Sequence, residues 1–283
     1  MINLFFTRSF SVFCLSFWLI AASALPALAA LPVRSAILVN VNTGKILYEK
    51  NASTPIPPAS LTKLMTMYLA MTEVNTKRAS LNDICRVPPV AARTAGSSMH
   101  LSSNEKVRLK KLLTGMVVAS GNDAARAIAM HLSGSERNFV RSMNKTARAL
   151  GMRNTLFKNP TGLPAKGQMT TARDMLTLAR AYLRRYPQAL EFHQVRSVEH
   201  GGRCILSTNK LLGRVQGVDG LKTGYTAASG YNLIFTAQRG KTRLLGVVMG
   251  GRTSAQRDRS AQKILEAGFK YSQSPTRVAR ALR

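Results

Sequence analysis

Apolar positions fall into three blocks along the chain, with strand-like runs at both ends and helical spacing between. Near the start, Ala36-Ile37-Leu38-Val39 and Lys45-Ile46-Leu47-Tyr48 flank Asn42-Thr43-Gly44. Two short apolar runs around a cluster that supplies positive φ predict a β-hairpin over 35–50. Pro57 and Pro58 then stop the extended chain, because neither offers an N–H. Leu61, Leu64, Met65, Tyr68 and Leu69 recur at helical spacing and predict a buried helix from about residue 60. A polar link over 75–83 follows. Pro88-Pro89 and Gly96-Ser97-Ser98 then mark 84–108 as a short excursion of strands and turns.

Residues 109–118 and 123–132 form two apolar helical stretches separated by Ser120-Gly121-Asn122. Polar groups on a short loop buried between such helices need partners or a task. A helix over 135–150 ends at Gly151, and Asn159-Pro160-Thr161-Gly162-Leu163-Pro164 reads as a tight loop. Thr171-x-x-Asp174 looks like a capping box that opens a helix to about Arg185, closed before Pro187. From Gly202 the pattern turns to strands, expected over 220–226, 231–238 and 242–249, with Arg239-Gly240-Lys241 as a hairpin turn. A helix over 254–271 closes the domain. The tail over 274–283 is basic, is interrupted by Pro275 and is expected to lack structure. Strands at both ends with helices between them imply that the ends meet. The predicted fold is α/β (α+β) over 30–273, a five-stranded antiparallel sheet with flanking helices and an inserted helical lobe. A site is expected at the seam between sheet edge and lobe.

Composition adds export and charge. Over residues 1–29 Arg8 is the one charge, an apolar run extends from Phe10 to Leu25, and Ala27-Leu28-Ala29 is a small-x-small cleavage pattern. The run is shorter than the ~20 residues of a spanning helix, so a cleaved secretory signal is expected. Cys14 follows Phe13 rather than a small residue, which argues against a lipoprotein signal. Beyond that leader Cys85 and Cys204 remain, too few for a disulfide scaffold, and their pairing stays open. The formal net charge is +29, which favours anionic surroundings such as wall polymers or lipid headgroups. The cations are scattered, and no DNA-binding motif accompanies them, so nucleic acid is excluded as the partner. Ten residues around a proline make no membrane anchor; at most Arg277, Arg280 and Arg283 touch anionic lipid. The chain is therefore expected to act outside the cytoplasmic membrane, in the periplasm or on that membrane's outer face.

Candidate chemistry centres on Ser60 and Lys63. Three apart at a helix start, they share a face, and a helix N-terminus adds free N–H groups and positive potential. Hydroxyl, adjacent base and oxyanion donors are the parts of an activated nucleophile. The spacing alone is uninformative, since it recurs at Ser103/Lys106, Ser142/Lys145, Ser207/Lys210 and Ser260/Lys263. His100, His131, His193 and His200 lack zinc-peptidase spacing, and no cofactor or metal is expected.

Order and context decide. SLTK at 60–63, SGN at 120–122 and KTG at 222–224 occur in the order that resembles the penicillin-recognising serine enzymes. The words IPPASLTKLMT, ASGNDAA, NPTGL, TARDM and VDGLKTGYTAASGYNL are similar to the low-molecular-mass D-alanyl-D-alanine carboxypeptidases, from about Leu31 to Ser272. The resemblance implies that Ser60 attacks the penultimate D-alanine of a peptidoglycan stem peptide ending in D-Ala-D-Ala, with Lys63 as its base. It implies that Ser120 relays a proton to the leaving D-alanine, that Asn122 holds the peptide amide, and that Lys222 and Thr223 bind the terminal carboxylate. The N–H groups of Ser60 and Tyr225 would form the oxyanion hole beside Gly224, and Asn209 would line the sheet side of the cleft. β-Lactams would be covalent inhibitors. A Lys63 base must be uncharged, and Lys222, the helix N-terminus and partial burial all push its pKa down.

Three alternatives are weighed beside the carboxypeptidase. An endopeptidase acting on D-amino-acid cross-links is the near variant, which the SGN box disfavours within the resemblance. A β-lactamase of class A would carry Glu-x-x-Leu-Asn, and none of Glu136, Glu191 or Glu199 begins that pattern. A non-catalytic wall-binding protein on the same fold is disfavoured because every box is intact.

Overall fold

The computed structural model describes residues 31–283; the export leader expected over 1–29 lies outside the described residues. The N-terminal hairpin pairs β1 (Ser35–Asn40) with β2 (Ile46–Lys50). A 3-10 turn, Ala59–Thr62, leads into α1 (Lys63–Asn75). The excursion over 84–108 holds a small ribbon, β3 (Ile84–Arg86) against β4 (Lys106–Arg108), with the short α2 (Pro89–Ala92) between them. The lobe continues as α3 (Leu109–Val118), α4 (Asn122–Ser133), α5 (Glu136–Ala149) and α6 (Ala172–Arg185). A 3-10 turn at Pro187–Leu190 and α7 (Glu191–Gln194) precede a hairpin of β5 (Ser197–His200) and β6 (Arg203–Leu206). Three long strands follow, β7 (Val218–Thr226), β8 (Gly230–Arg239) and β9 (Thr242–Gly251), then α8 (Ser254–Lys270) and α9 (Pro275–Ala281).

The main sheet is antiparallel with strand order β2-β1-β9-β8-β7. The chain ends therefore meet as expected, β1 pairing with β9 from Ser35 opposite Met249 to Asn40 opposite Leu244. Alternate residues of a strand face opposite sides, and here both sides are covered. Ile37, Val39, Ile234, Leu245 and Val247 face the helical lobe in the larger core cluster. Ala36, Leu38, Leu233, Phe235 and Val248 face α8, whose Ile264 and Leu265 are fully buried in the second cluster. Burying each of those two side chains stabilises by about 2 kcal/mol. Strands covered on both faces read as continuous apolar runs rather than as an alternation, which is what the β1 segment shows.

Helix starts follow their caps. The Thr171 hydroxyl accepts from the Asp174 N–H, and Ser135 and Thr253 do the same for Asn138 and Gln256. The tail departs from expectation. Residues 275–281 are helical, capped by Ser274, with Val278 and Leu282 buried in the second core cluster. Pro275 occupies the first turn, where a missing N–H costs nothing; it starts the helix rather than interrupting the chain. The β5–β6 hairpin also begins earlier than the expected strand region. Cys85 is buried, Cys204 is exposed, and both are free thiols. Burial pushes the Cys85 thiol up to about 12, so it is inert core. No described helix is long and apolar enough to cross a membrane.

Candidate active site

The edge strand β7 runs past the 3-10 turn that carries Ser60. A Cβ added to Gly224 would stand 3.1 Å from the backbone nitrogens of both Ser60 and Leu61, so glycine permits the close approach of strand and turn. The turn departs in detail from the expected α-helical start. In a 3-10 helix residues i and i+3 eclipse, and this sets the Lys63 side chain directly beneath Ser60. Ala59 holds φ +47°, a left-handed backbone that a non-glycine residue rarely adopts.

Lys63 is 1% exposed, and its Nζ has three neighbours. Ser60 Oγ lies at 2.9 Å, Asn122 Oδ1 at 2.6 Å and the Thr161 carbonyl at 2.7 Å. The Asn122 amide is oriented by its own Nδ2, which donates to the Ala95 carbonyl at 2.7 Å, so its oxygen must face the lysine. Two of the three neighbours are thus acceptors without a proton to give. A neutral amine has two N–H bonds and one lone pair; the N–H bonds go to Asn122 and Thr161, and the lone pair is left facing the Ser60 hydroxyl. Burial pushes the Lys63 pKa well below its ordinary value, Lys222 lowers it further, and buried Asp123 opposes them. Desolvation leads, ahead of the second cation that sequence reasoning put first.

Across the cleft, Lys222 on β7 is equally buried. Its Nζ donates to Ser120 Oγ at 2.9 Å and to the Thr223 carbonyl at 3.0 Å. Its pKa is drawn down to about 7 by burial and then by the Arg257 cation. Ser120 holds φ +56° between α3 and α4, on the short buried loop that the spacing predicted. Asn122 is the first residue of α4 and does not cap it; Gly121 occupies the cap position. Thr223 donates to Thr208 Oγ1 at 2.8 Å. Tyr225 is 54% exposed and stacks on Tyr231 with ring centres 4.3 Å apart.

Asn209 stands one step removed. It is buried, its Oδ1 accepts from the Leu211 N–H at 3.2 Å, and its Nδ2 has no partner. It is linked to the cleft through its neighbour Thr208. The structure therefore brings Ser60, Lys63 and Asn122 together, sets Ser120 on Lys222, and lays Gly224 against the Ser60 turn. Asn209 lies in the wall behind Thr223.

Three contributors escaped sequence reasoning. Thr161 supplies the carbonyl under Lys63 from the NPTGL loop, which Asn159 Oδ1 folds by accepting from the Thr161 and Gly162 N–H groups. Asp123 is fully buried and accepts from the N–H groups of Met99 and Leu101 and from the Ser98 hydroxyl, fastening the 98–101 segment beside Asn122. Thr208 joins β7 to the lobe, since its N–H donates to the Val118 carbonyl at 3.1 Å. The words NPTGL and ASGNDAA held Thr161 and Asp123 in view; nothing in spacing distinguished them from loop residues.

No group of three or more His, Cys, Asp or Glu able to hold a metal occurs among the described residues. Nor does a carboxylate stand with Ser60 and Lys63 among their hydrogen-bond partners. Glu136 is paired with Arg126 elsewhere in the lobe.

The sequence profile described as D-alanyl-D-alanine carboxypeptidase matches residues 21–253. D-alanyl-D-alanine carboxypeptidase DacF of Bacillus subtilis is 39% identical over 248 residues, covering 86% of this chain and 63% of the relative. The chain thus spans under two thirds of the length of this relative. Among solved structures, penicillin-binding protein 5 of Haemophilus influenzae superimposes with a TM-score of 0.83 at 34% identity, covering 86% of this chain and 72% of that one. Penicillin-binding protein D2 of Listeria monocytogenes, in its ampicillin-bound form, gives 0.78 at 33% identity and covers 84% of this chain and 98% of that one. By fold, by the order of its three sequence boxes and by the extent of this match, the chain belongs to the D-alanyl-D-alanine carboxypeptidase family.

Proposed function

We propose that the chain is a serine-type D-alanyl-D-alanine carboxypeptidase that removes the terminal D-alanine from peptidoglycan stem peptides. The observation that carries this is the Lys63 amine: both of its N–H bonds are committed to Asn122 and Thr161, with Ser60 Oγ at 2.9 Å. A base so held takes the Ser60 proton as Oγ bonds to the carbonyl carbon of the penultimate D-alanine. The developing oxyanion is met by the N–H groups of Ser60 and Tyr225; the close approach of Gly224 on β7 to the Ser60 turn supports that pairing. When the C–N bond breaks, the leaving D-alanine nitrogen takes a proton through Ser120. Water then attacks the Ser60 ester and gives a proton to Lys63, which returns it to Ser60 Oγ as the ester C–O bond breaks, and the shortened peptide leaves as an acid that ionises to its carboxylate.

Lys222 and Thr223 receive the terminal carboxylate, and β7, the edge strand of the main sheet, pairs with the peptide as an added strand. A β-lactam presents the same amide and carboxylate in a ring, so its leaving nitrogen stays tethered and the acyl-enzyme persists. Slow rather than rapid β-lactam hydrolysis follows from the lack of a carboxylate among the bonding partners of Ser60 and Lys63. The substrate and the net charge of +29 support action outside the cytoplasm, at the anionic wall.

The test is acylation and turnover. A fluorescent penicillin labels the purified chain, Ser60→Ala abolishes the label, and the wild type releases D-alanine from diacetyl-L-lysyl-D-alanyl-D-alanine. Labelling of Ser60→Ala moves the nucleophile elsewhere, and rapid hydrolysis of benzylpenicillin makes the chain a β-lactamase instead.

A further inference from the structure

The last turns of α6 meet the end of β8 and the start of β9 around a cavity of about 760 Å³. None of the cleft residues described above lines it. The volume falls within the ~300–1,000 Å³ of small-molecule pockets. Its floor is apolar: Leu150 at the end of α5, Leu183 on α6 and Leu190 in the 3-10 turn at Pro187–Leu190, all at the margin of the larger core cluster.

Its rim is cationic. Arg180 and Arg184 stand four apart on α6 and line one wall. Arg180 leans across to the N-terminal hairpin, its Nη2 3.5 Å from where a Cβ on Gly44 would stand. Residues four apart share a helix face, and like charges so placed repel. No ion pair among the described residues uses either guanidinium. Arg243 and Gln238 form the opposite wall. The Arg243 guanidinium is held by Asp219 Oδ2 at 2.9 Å, Thr236 Oγ1 at 2.9 Å and Gln238 Oε1 at 2.6 Å. Asp219 balances that charge, so the surplus belongs to the two α6 arginines. No acidic side chain lines the cavity among the described residues. The cavity beside α8 differs, because there Glu266 lines the wall and takes Arg239 with both oxygens.

We propose that the α6 cavity binds an anionic phosphate amphiphile, with its phosphate between Arg180 and Arg184 and its apolar chain on the leucine floor. A guanidinium fork matches phosphate oxygens. An anion between the two arginines replaces their repulsion by two attractions. An apolar chain takes the floor out of water. A bare anion satisfies only the rim and an uncharged amphiphile only the floor. The site is independent of the carboxypeptidase reading, since neither Ser60 nor Lys63 takes part in it.

The test is calorimetric titration of the purified chain with dihexanoyl phosphatidylglycerol below its micelle concentration. One saturable site per chain is expected, with a Kd on the order of 0.1 mM. Dihexanoyl phosphatidylcholine has the same chains without net charge, and sn-glycerol 3-phosphate has the charge without chains; each binds about tenfold more weakly. Arg180→Gln/Arg184→Gln raises Kd about tenfold. Arg137→Gln/Arg141→Gln removes another pair of arginines four apart, on α5, and leaves Kd unchanged. Melting temperatures check that both double variants fold. Equal weakening in the two double variants assigns the binding to overall charge and overturns the site. Equal binding of glycerol phosphate or of the zwitterionic lipid, or the lack of a saturable site, overturns it as well.

Discussion

The Ser120 hydroxyl accepts a hydrogen bond at 2.9 Å from the Lys222 ammonium, and that bond joins the helical lobe to the edge of the sheet. Both residues are buried, so the cation is held in a place that costs stability. Its pKa of about 7, lowered first by burial and then by Arg257, measures that cost. Replacing a buried charge by an apolar side chain of similar length is often stabilising. Lys222→Met is therefore expected to be about 1–2 kcal/mol more stable in urea at pH 7. The same variant should raise KM for a D-Ala-D-Ala peptide far more than it lowers kcat. A less stable variant, or one with unaltered KM, contradicts the assignment of Lys222 to the carboxylate.

Lys63 and Lys222 together set the pH profile. Lys63 acts neutral, so activity grows as pH rises through its depressed pKa. Lys222 acts charged, so substrate binding is lost as pH rises past about 7. The expected kcat/KM profile is a bell whose basic limb lies near 7, because kcat/KM reports the free enzyme. In the kcat profile that limb moves up, since a bound carboxylate stabilises the ammonium. Lys222→Arg should lose the basic limb, as a guanidinium stays charged throughout. Persistence of the limb in that variant assigns it to another group.

His193 makes a separate prediction about stability. The ring is buried beneath β7, its Nε2 2.9 Å from the Tyr182 hydroxyl and its Nδ1 3.1 Å from the Leu221 carbonyl. Burial holds its pKa down to about 4, with the backbone bond to Leu221 opposing and Lys222 assisting. The unfolded chain, with its histidine near ~6.5, binds a proton that the folded one refuses. Stability from this group is therefore full above 6.5 and is lost as pH falls from 6.5 to about 4. The loss amounts to about 3 kcal/mol. His193→Gln should melt with a shallower acid dependence across that window, read from melting temperatures at pH 7 and pH 4.5. Parallel curves for the two proteins place the acid-labile group elsewhere.

Much of the sheet and lobe was legible because each element is locally consistent. The hairpin turn at Asn42-Thr43-Gly44, the capping box at Thr171 and the Gly-containing break at Ser120 each declare themselves within a few residues. The boxes at Ser60, Ser120 and Lys222 were legible through order. What spacing cannot reveal is a partner far along the chain. The Thr161 carbonyl reaches Lys63 across 98 positions, and Asp123 matters through backbone N–H groups more than 20 positions away. The 3-10 character of Ala59–Thr62 was invisible because the apolar spacing that follows it fits an α-helix equally well. The tail departs from expectation for a local reason. Pro275 starts a helix instead of breaking the chain, since Ser274 before it and Val278 and Leu282 four apart after it spell a capped helix with one apolar face.

Gly162 offers the most selective test of the site as a built object. Its φ is +84°, and a Cβ there would overlap the Ala59 carbonyl, immediately before Ser60. Gly167, in the same loop, has a similar φ of +78° but open surroundings, with Lys158 Cε at 3.8 Å. Gly167→Ala pays only the left-handed backbone penalty, about 1–2 kcal/mol. Gly162→Ala pays that and must also push the loop off the turn, which draws the Thr161 carbonyl away from Lys63. An amine that loses that acceptor can rotate the freed N–H towards Ser60 and so turn its lone pair aside. Gly162→Ala is therefore expected to slow acylation by penicillin at least tenfold beyond what Gly167→Ala does. Comparable acylation rates in the two alanine variants, at matched fraction folded, would show that the loop's contact with the turn does not position the base.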